Sequence, residues 1–518
     1  MRTRTLAGAA AGIGAVTALA RIGGFGRTAV LTRTLGPGCV GDTYQTANQL
    51  PNVVFEVVAG GALAALVVPL LAGAVSAGDR GTAGRTTSAL LTWTVMILLP
   101  ITVLGVLAAP FALHVVAGGS PRCGHALLEV GARLLRVFMP QVVLYGLGVV
   151  LTGVLQAHRR FLGPALAPLL SSLVVIAAYL AYAGQGRVPL ERLGGARELT
   201  LSVGTTLGVA ALVLPLLLPL RRCGLPLRPT LSFPPGVAAR ARSLAAAGVA
   251  GLAAQQVALL VALRLANGGQ RGDVVVFLVA TALFLLPWAV LAVPVATTAF
   301  PELSAAAETG QESAYADVAA GALRAVLVLT AGAAALLVAV AGPAAGVLVL
   351  GAPGPDRVAA LAGAIRAFAP GLVGYGLLAL LGRALYARGD ARTPAAATVT
   401  GWLVVALADL ALVHLGTGRV VALGLGNTIG MTAAGLLLLL GLRRACPAAL
   451  DGTLRTSVVS LATGAAVAGG ALLLRINGGG SPAGALLIGV VAAGAASAAY
   501  LGAVRVLDPG GLRALSRD

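Results

Sequence analysis

Two arginines, Arg21 and Arg27, interrupt the apolar stretch ALARIGGFGRTAVL at residues 18–31. A guanidinium keeps its charge at any physiological pH and offers a planar fork that grips a phosphate or carboxylate with two hydrogen bonds. Left unpaired inside a bilayer, such a group costs at least about 3 kcal/mol. It must therefore snorkel to an interface, pair with an acid or meet an anionic ligand. Six residues on an ideal helix separate the two arginines by about 120°. Between them lies Gly23-Gly24-Phe25-Gly26, where a break in the helix would turn both charges, with Gly24, toward one cavity. The next stretch, GDTYQTANQLPNVVFEVVAGGALAALVVP, has Asp42 at its start. Asn48, Asn52 and Glu56 follow at spacings of four, hence on one helical face. That stripe is too polar for lipid, so it lines a cavity or pairs with the arginines. Arg133, Arg136, Arg264, Arg324, Arg366 and Arg383 stand in or near the ends of later apolar stretches, where snorkelling accounts for several of them. Asp409 is an isolated acid at depth that would take a proton or Na⁺, or partner an arginine of a neighbouring helix.

The elements that hold these residues follow from hydropathy. The chain has 518 residues, is 58% hydrophobic and 10% charged, and has a mean hydropathy of +0.95. Apolar runs of about 20 residues recur from end to end, each long enough to cross about 30 Å of hydrocarbon. The spacing predicts fourteen spans, at 5–32, 43–75, 88–117, 128–157, 162–184, 199–220, 243–266, 274–300, 316–350, 358–387, 393–416, 418–442, 456–474 and 482–507. The fold class is an all-α polytopic membrane protein, since no stretch alternates polar and apolar residues as a barrel strand does. Arg2 and Arg4 before an apolar run ending in Ala18-Leu19-Ala20 have the outline of a signal peptide. Another membrane segment follows, so the run is read as span 1. All 36 basic residues are Arg, and the net charge is +19. With the N-terminus inside, about 19 arginines fall in cytoplasmic segments and about 9 in outer loops, which places both termini in the cytoplasm. One inner loop, PELSAAAETGQESAYAD at 301–317, is acidic instead. Spread over short loops, the arginines set topology. Without basic clusters interleaved with aromatics they give no nucleic-acid surface. Catalytic signatures of soluble enzymes are absent, and the four histidines lack metal-ligand spacing, so no catalytic or metal residues are assigned. Cys39 and Cys123 fall in the first two outer loops, Cys223 and Cys446 on the cytoplasmic side. Whether the outer pair is bridged depends on a Cα separation that sequence leaves open.

A repeat divides the chain. RVFMPQVVLYGLGVVLTGVLQAHRRFLGPA (136–165) and RAFAPGLVGYGLLALLGRALYARGDARTPA (366–395) align without a gap and match at 12 of 30 positions. Arg136/Arg366, Phe138/Phe368, Pro140/Pro370, Tyr145/Tyr375 and Gly146/Gly376 are among the matches. Leu50-Pro51 and Leu286-Pro287 form a second echo. The 230-residue offset contains six spans, an even number, so the two halves enter the membrane in the same sense. That predicts two six-helix lobes, 1–230 and 231–447, related by a pseudo-two-fold along the membrane normal. Residues 448–518 add two extra C-terminal helices and a tail.

The segments ARIGGFGRTAVLTRTLG and GDTYQTANQLPNVVFEVVAGGALAALVVPLL resemble the opening of the MurJ (MviN) lipid II flippase family. LQAHRRFLGPALAP, LLPWAVLAVPVATTAFPELS and LYARGDARTP look like its later landmarks, in order. The resemblance implies fourteen helices and a cargo of undecaprenyl-diphosphate-linked peptidoglycan precursor, moved from the inner to the outer leaflet of the bacterial plasma membrane by alternating access. It implies that Arg21, Gly24, Arg27, Asp42, Asn48, Asn52, Glu56 and Arg264 contact the cargo, and that its polyprenyl tail lies in lipid or in a groove bordered by spans 13 and 14. No cofactor is expected beyond a coupling Na⁺ or H⁺, with Asp409 as the candidate, or the membrane potential. Partners are the polyprenyl-diphosphate-linked saccharide lipid and the bilayer, with cell-wall synthesis or division proteins as further candidates. The chain departs from the family pattern at Phe55 and Ala282, where basic residues are usual, at Gly60, where Glu is usual, and at Ser171-Ser172. Other readings stay open: a flippase for another polyprenyl-linked saccharide, a cation-coupled exporter of the same superfamily, or a non-transporting scaffold for cell-wall enzymes.

Overall fold

Inside hydrocarbon every backbone N–H and C=O must find its partner within the segment, so apolar runs of this length fold as helices. A computed structural model describes the backbone of residues 2–118, 120, 122–233, 237–349, 356–416, 418–474, 476 and 481–513. Their side chains are described except at 2–15, 17, 18, 59, 61–66, 237–249, 356, 512 and 513. The helices are α1 (Arg2–Thr34), α2 (Cys39–Phe55), α3 (Gly61–Ser76), α4 (Arg80–Leu107), α5 (Ala109–Ala117), α6 (Gly124–Phe138), α7 (Gln141–Ala157), α8 (Leu162–Gly184), α9 (Gly195–Val213), α10 (Leu217–Arg221) and α11 (Val237–Asn267). They continue as α12 (Asp273–Pro287), α13 (Val293–Glu308), α14 (Glu312–Val349), α15 (Asp356–Phe368), α16 (Gly371–Ala387), α17 (Arg392–Leu412), α18 (Arg419–Ala445), α19 (Thr453–Leu473), α20 (Pro482–Leu507) and α21 (Pro509–Arg513). Each of the fourteen expected spans coincides with one helix or a consecutive pair. Among the described residues, eleven helices are long and apolar enough to cross a membrane, or twelve when the bent pair α15–α16 counts as one span. The side chains of Arg2, Arg4 and Ala18, on which the signal-peptide outline rests, lie outside the described residues.

The chain forms two compact units, residues 1–256 with 270–272, and residues 257–269 with 273–518. In the first, α1 packs on α8, α2 on α6, α3 and α4 on α7, and α8 on α9. In the second, α14 is the central pillar, buried along most of its length. α16 packs on it from one side, α19 and α20 from another, and the Tyr500 hydroxyl donates to the Val328 carbonyl at 2.8 Å.

The repeat shows within each unit. The first copy breaks between α6 and α7 at Met139-Pro140, the second between α15 and α16 at Ala369-Pro370, where the helix bends by 42°. A Cβ on Gly146 would stand 2.8 Å from Thr94 of α4, and one on Gly376 would stand 2.7 Å from Thr330 of α14. The same glycine thus receives a threonine from the third helical passage of each unit. The Leu-Pro echo marks a second shared device. α2 passes through a π-helical turn at Glu56–Gly60, and α12 through one at Trp288–Ala292.

One expectation is corrected. α1 runs unbroken through Gly23–Gly26. Glycine here serves close packing: a Cβ on Gly23 would sit 3.0 Å from Leu169 of α8, and the intact i to i−4 ladder satisfies the backbone in lipid. The acidic 301–317 segment closes the turn between α13 and α14, where Arg388 donates to both oxygens of Glu312 at 2.7 and 2.9 Å. Arg388 precedes the α16–α17 turn, so both turns share one end of the second unit, as alternating passages require.

Candidate functional site

The first unit holds the arginine face. Arg21 and Arg27 are both exposed, and neither makes a hydrogen bond or ion pair with a described residue. Gly24 lies midway between them on the helical wheel, at about 60° from each. No described residue comes within 4 Å of where a Cβ on Gly24 or Gly26 would be. Two uncommitted guanidiniums therefore flank a strip of bare helix, with the Thr28 hydroxyl tied back to the Gly24 carbonyl at 3.3 Å. An anion can approach closely here because no described side chain stands in the way.

The α2 stripe is half-buried. Asn52 donates to the Asn48 carbonyl at 3.0 Å, and Asn48 Oδ1 is buried with no hydrogen-bond partner among the described residues. Glu56 opens the π-turn, and its carboxylate lies over Gly60: a Cβ there would meet Glu56 Oε2 at 2.4 Å. The acid one turn earlier thus occupies the space a side chain at position 60 would need. Glu56 makes no ion pair with a described residue, so the stripe does not neutralise the arginines through it. Asp42 does different work. It is 3% exposed and accepts from the Gly272 N–H, clasping the segment 270–272 to the first unit. Nearby, Arg271 donates to the Arg122 carbonyl at 3.2 Å, and Cys39 and Cys123 form a disulfide with Cα atoms 5.5 Å apart.

The sequence reading missed an aromatic network beside this face. The buried Tyr44 hydroxyl bonds to Tyr179 at 2.9 Å and to Thr205 Oγ1 at 2.7 Å, and Phe138 packs edge-on against the Tyr44 ring. Phe55 lies against Tyr145 with ring centroids 5.3 Å apart. Arg27 is within electrostatic reach of Tyr44, Tyr145 and Tyr179. Tyr44 lies inside the polar stretch already singled out, and that was the available signal.

Arg264 and Asp409 belong to the second unit. Arg264, on α11, is exposed, and its side chain has no partner among the described residues. Asp409 is 1% exposed on α17, and its Oδ1 has no hydrogen-bond partner among the described residues. A Cβ on Gly426 of α18 would lie 1.9 Å from that oxygen. Asn427 carries a buried Nδ2 that is likewise unpartnered among them.

The family model described as "Lipid II flippase MurJ" matches residues 31–478. The chain is similar to the lipid II flippase MurJ of Burkholderia cenocepacia, at 27% identity over 435 residues, covering 83% of this chain and 82% of that protein. In fold it is similar to the solved structure titled "Lipid II flippase MurJ, inward closed conformation". The TM-score is 0.73 at 18% identity, covering 95% of this chain and 98% of the other. A multidrug resistance MATE family transporter of the MOP superfamily in an inward-facing conformation follows, with a TM-score of 0.68 at 15% identity and coverages of 85% and 96%.

Proposed function

The chain belongs to the lipid II flippase MurJ family, and from that premise we propose that it carries lipid II from the inner to the outer leaflet of a bacterial inner membrane. The observation that carries the residue-level reading is the pair of uncommitted guanidiniums, Arg21 and Arg27, flanking the bare Gly24 backbone of a membrane-crossing helix. Facing hydrocarbon, each would cost several kcal/mol, so this face of α1 is wetted and awaits an anion. A diphosphate fits it: two forks engage its oxygens, and Gly24 lets it come against the helix. Phe55 against Tyr145 forms an apolar wall where the family usually has a basic residue. The hold on the diphosphate falls more heavily on Arg21 and Arg27.

Transport requires the arginine face to open first to the cytoplasm and then outward. The π-turns of α2 and α12 supply compliant points, because a wide turn leaves i to i−4 bonding locally loose. The polyprenyl tail has a matching surface in the second unit. A cavity of about 640 Å³, lined almost wholly by apolar residues such as Ala462, Ala466, Ala496 and Ala499, lies between α19 and α20. The buried Oδ1 of Asp409 suits a coupling Na⁺ or proton. Both termini lie in the cytoplasm in this reading, by the distribution of arginines.

Complementation of a flippase-depleted strain, read beside protein level, tests the arginine assignment. Arg21→Ala abolishes growth at normal abundance, and Arg21→Lys restores it only in part, because an ammonium lacks the bidentate fork. Full growth with Arg21→Ala removes this residue from the mechanism. Loss of labelled lipid II movement in vesicles holding the variant separates a transport defect from a scaffolding one.

A further inference from the structure

At the end of the first unit opposite the disulfide, three turns meet: those after α3, α7 and α10. They enclose a cavity of about 250 Å³. Arg80, Arg160 and Arg222 line it with His158 and Cys223, and Asp79 is the one acid. That acid is already engaged. Its carboxylate caps α4 by accepting from the Thr82 N–H at 2.9 Å, and the hydrogen bonds from Thr82 hold it below the usual carboxylate range. Arg160 spends one donor on the Arg222 carbonyl at 3.1 Å. The side chains of Arg80 and Arg222 make no hydrogen bond or ion pair with a described residue. The His158 Nδ1 lies 2.8 Å from the Val154 carbonyl, which can only accept. Nδ1 therefore carries the proton and Nε2 is left available. Three exposed guanidiniums thus line one open-sided cavity with their donors largely unspent, beside the N-terminus of a 28-residue helix.

We propose that this cavity is a phosphate-binding site, distinct from the Arg21/Arg27 face, and that it takes the headgroup phosphate of an anionic phospholipid of the adjoining leaflet. The recognition is charge together with a fork, as in basic pockets between membrane helices. The site lies where helix ends reach headgroup level, and Arg80, Arg160 and Arg222 are all exposed there. Free inorganic phosphate presents the same chemistry, so the two sources are separated by experiment.

Cys223 is a reporter within the cavity. It is a half-buried free thiol, Cys446 is a buried one, and the other two cysteines are bridged. Burial pushes the Cys223 thiol up, while Arg160 pulls it down. A phosphate on Arg160 offsets that pull and also covers the sulfur. The test is the alkylation rate of Cys223 by N-ethylmaleimide, located by peptide mass, in the full chain embedded in nanodiscs. Discs of phosphatidylglycerol with phosphatidylcholine slow the reaction relative to phosphatidylcholine alone, by about five-fold for each arginine that the phosphate engages. In the same mixed discs, R80Q/R222Q restores the faster rate, R80K/R222K retains most of the protection, and Arg85→Gln, outside the cavity on α4, leaves it unchanged. Protection in phosphatidylcholine discs by millimolar inorganic phosphate, without a further effect of phosphatidylglycerol, assigns the site to free phosphate and overturns the lipid source. No protection by either, or protection that survives R80Q/R222Q, overturns the site.

Discussion

At the scale of single residues, the informative contrast is between charges that are spent and charges that are not. Arg133 grips Glu198 and Arg388 grips Glu312, each through two nitrogens. Arg21 and Arg27 grip nothing described, although they lie within an apolar stretch of α1. Their importance was legible in the sequence, because an arginine within an apolar run is conspicuous whatever the fold. The Tyr44–Tyr179–Thr205 network was not, since its members are 135 and 161 residues apart and a tyrosine in a span reads equally well as an interface anchor. Gly24 offers the sharper test. With no described residue within 4 Å of a Cβ, Gly24→Leu folds normally and keeps its thermal midpoint. The new side chain stands between the two guanidiniums, so lipid II movement in vesicles falls by about ten-fold or more, the equivalent of one good charge-assisted hydrogen bond. Unchanged transport with intact protein would show that the bare strip is not the anion's seat.

Helices were easy to place and hard to shape. Hydropathy located each passage because lipid leaves the backbone no alternative to the helix. It gave no sign of the π-turns at Glu56–Gly60 and Trp288–Ala292, each of which follows a helix that contains a proline, Pro51 or Pro287. The glycines of α1 looked like a break, yet the helix continues through them: Gly23 packs against Leu169, while Gly24 and Gly26 meet no described residue. Glycine content alone does not distinguish the two, because both need a missing side chain. The α16–α18 pair shows how close such contacts become. A Cβ on Gly374 would lie 2.3 Å from the Met431 carbonyl oxygen and 2.7 Å from the Thr432 nitrogen, backbone atoms that cannot rotate away. Gly374→Ala therefore pushes the helices apart and costs about 1–3 kcal/mol, measured as a lower melting temperature in detergent. Gly382→Ala, on the same helix with no described residue within 4 Å, costs no stability and adds up to about 1 kcal/mol through helix propensity. If the two behave alike, backbone contact does not set the stability of this pair.

For the whole molecule, the alternation of helices fixes which turns share an end, and the cysteines mark the two ends of the first unit. Cys39 and Cys123 are joined at one end, and Cys223 lies in the basic cavity at the other. Thiol titration of denatured protein finds two free thiols before reduction and four after. In intact cells, an impermeant thiol reagent applied after a mild reductant labels the Cys39/Cys123 pair and leaves Cys223 unlabelled until the membrane is opened. Labelling of Cys223 from outside would invert the proposed orientation. The repeat was legible because proline, tyrosine and arginine recurred at one offset. Its physical content, a glycine accepting a threonine from the third passage of each unit, required coordinates.

The bridge from Cys39 to Cys123 has a further consequence for how the polypeptide can be cut. It closes a ring that contains the exposed turn Ala77-Gly78-Asp79 at the opposite end of the unit. A protease acting once at that turn opens a loop without releasing a fragment. The nicked chain keeps its full apparent mass on a non-reducing gel and separates into two pieces when thiol is added. The first unit thus tolerates a severed backbone between its second and third passages, and two separately encoded segments meeting at that turn would be rejoined by the outer sulfurs.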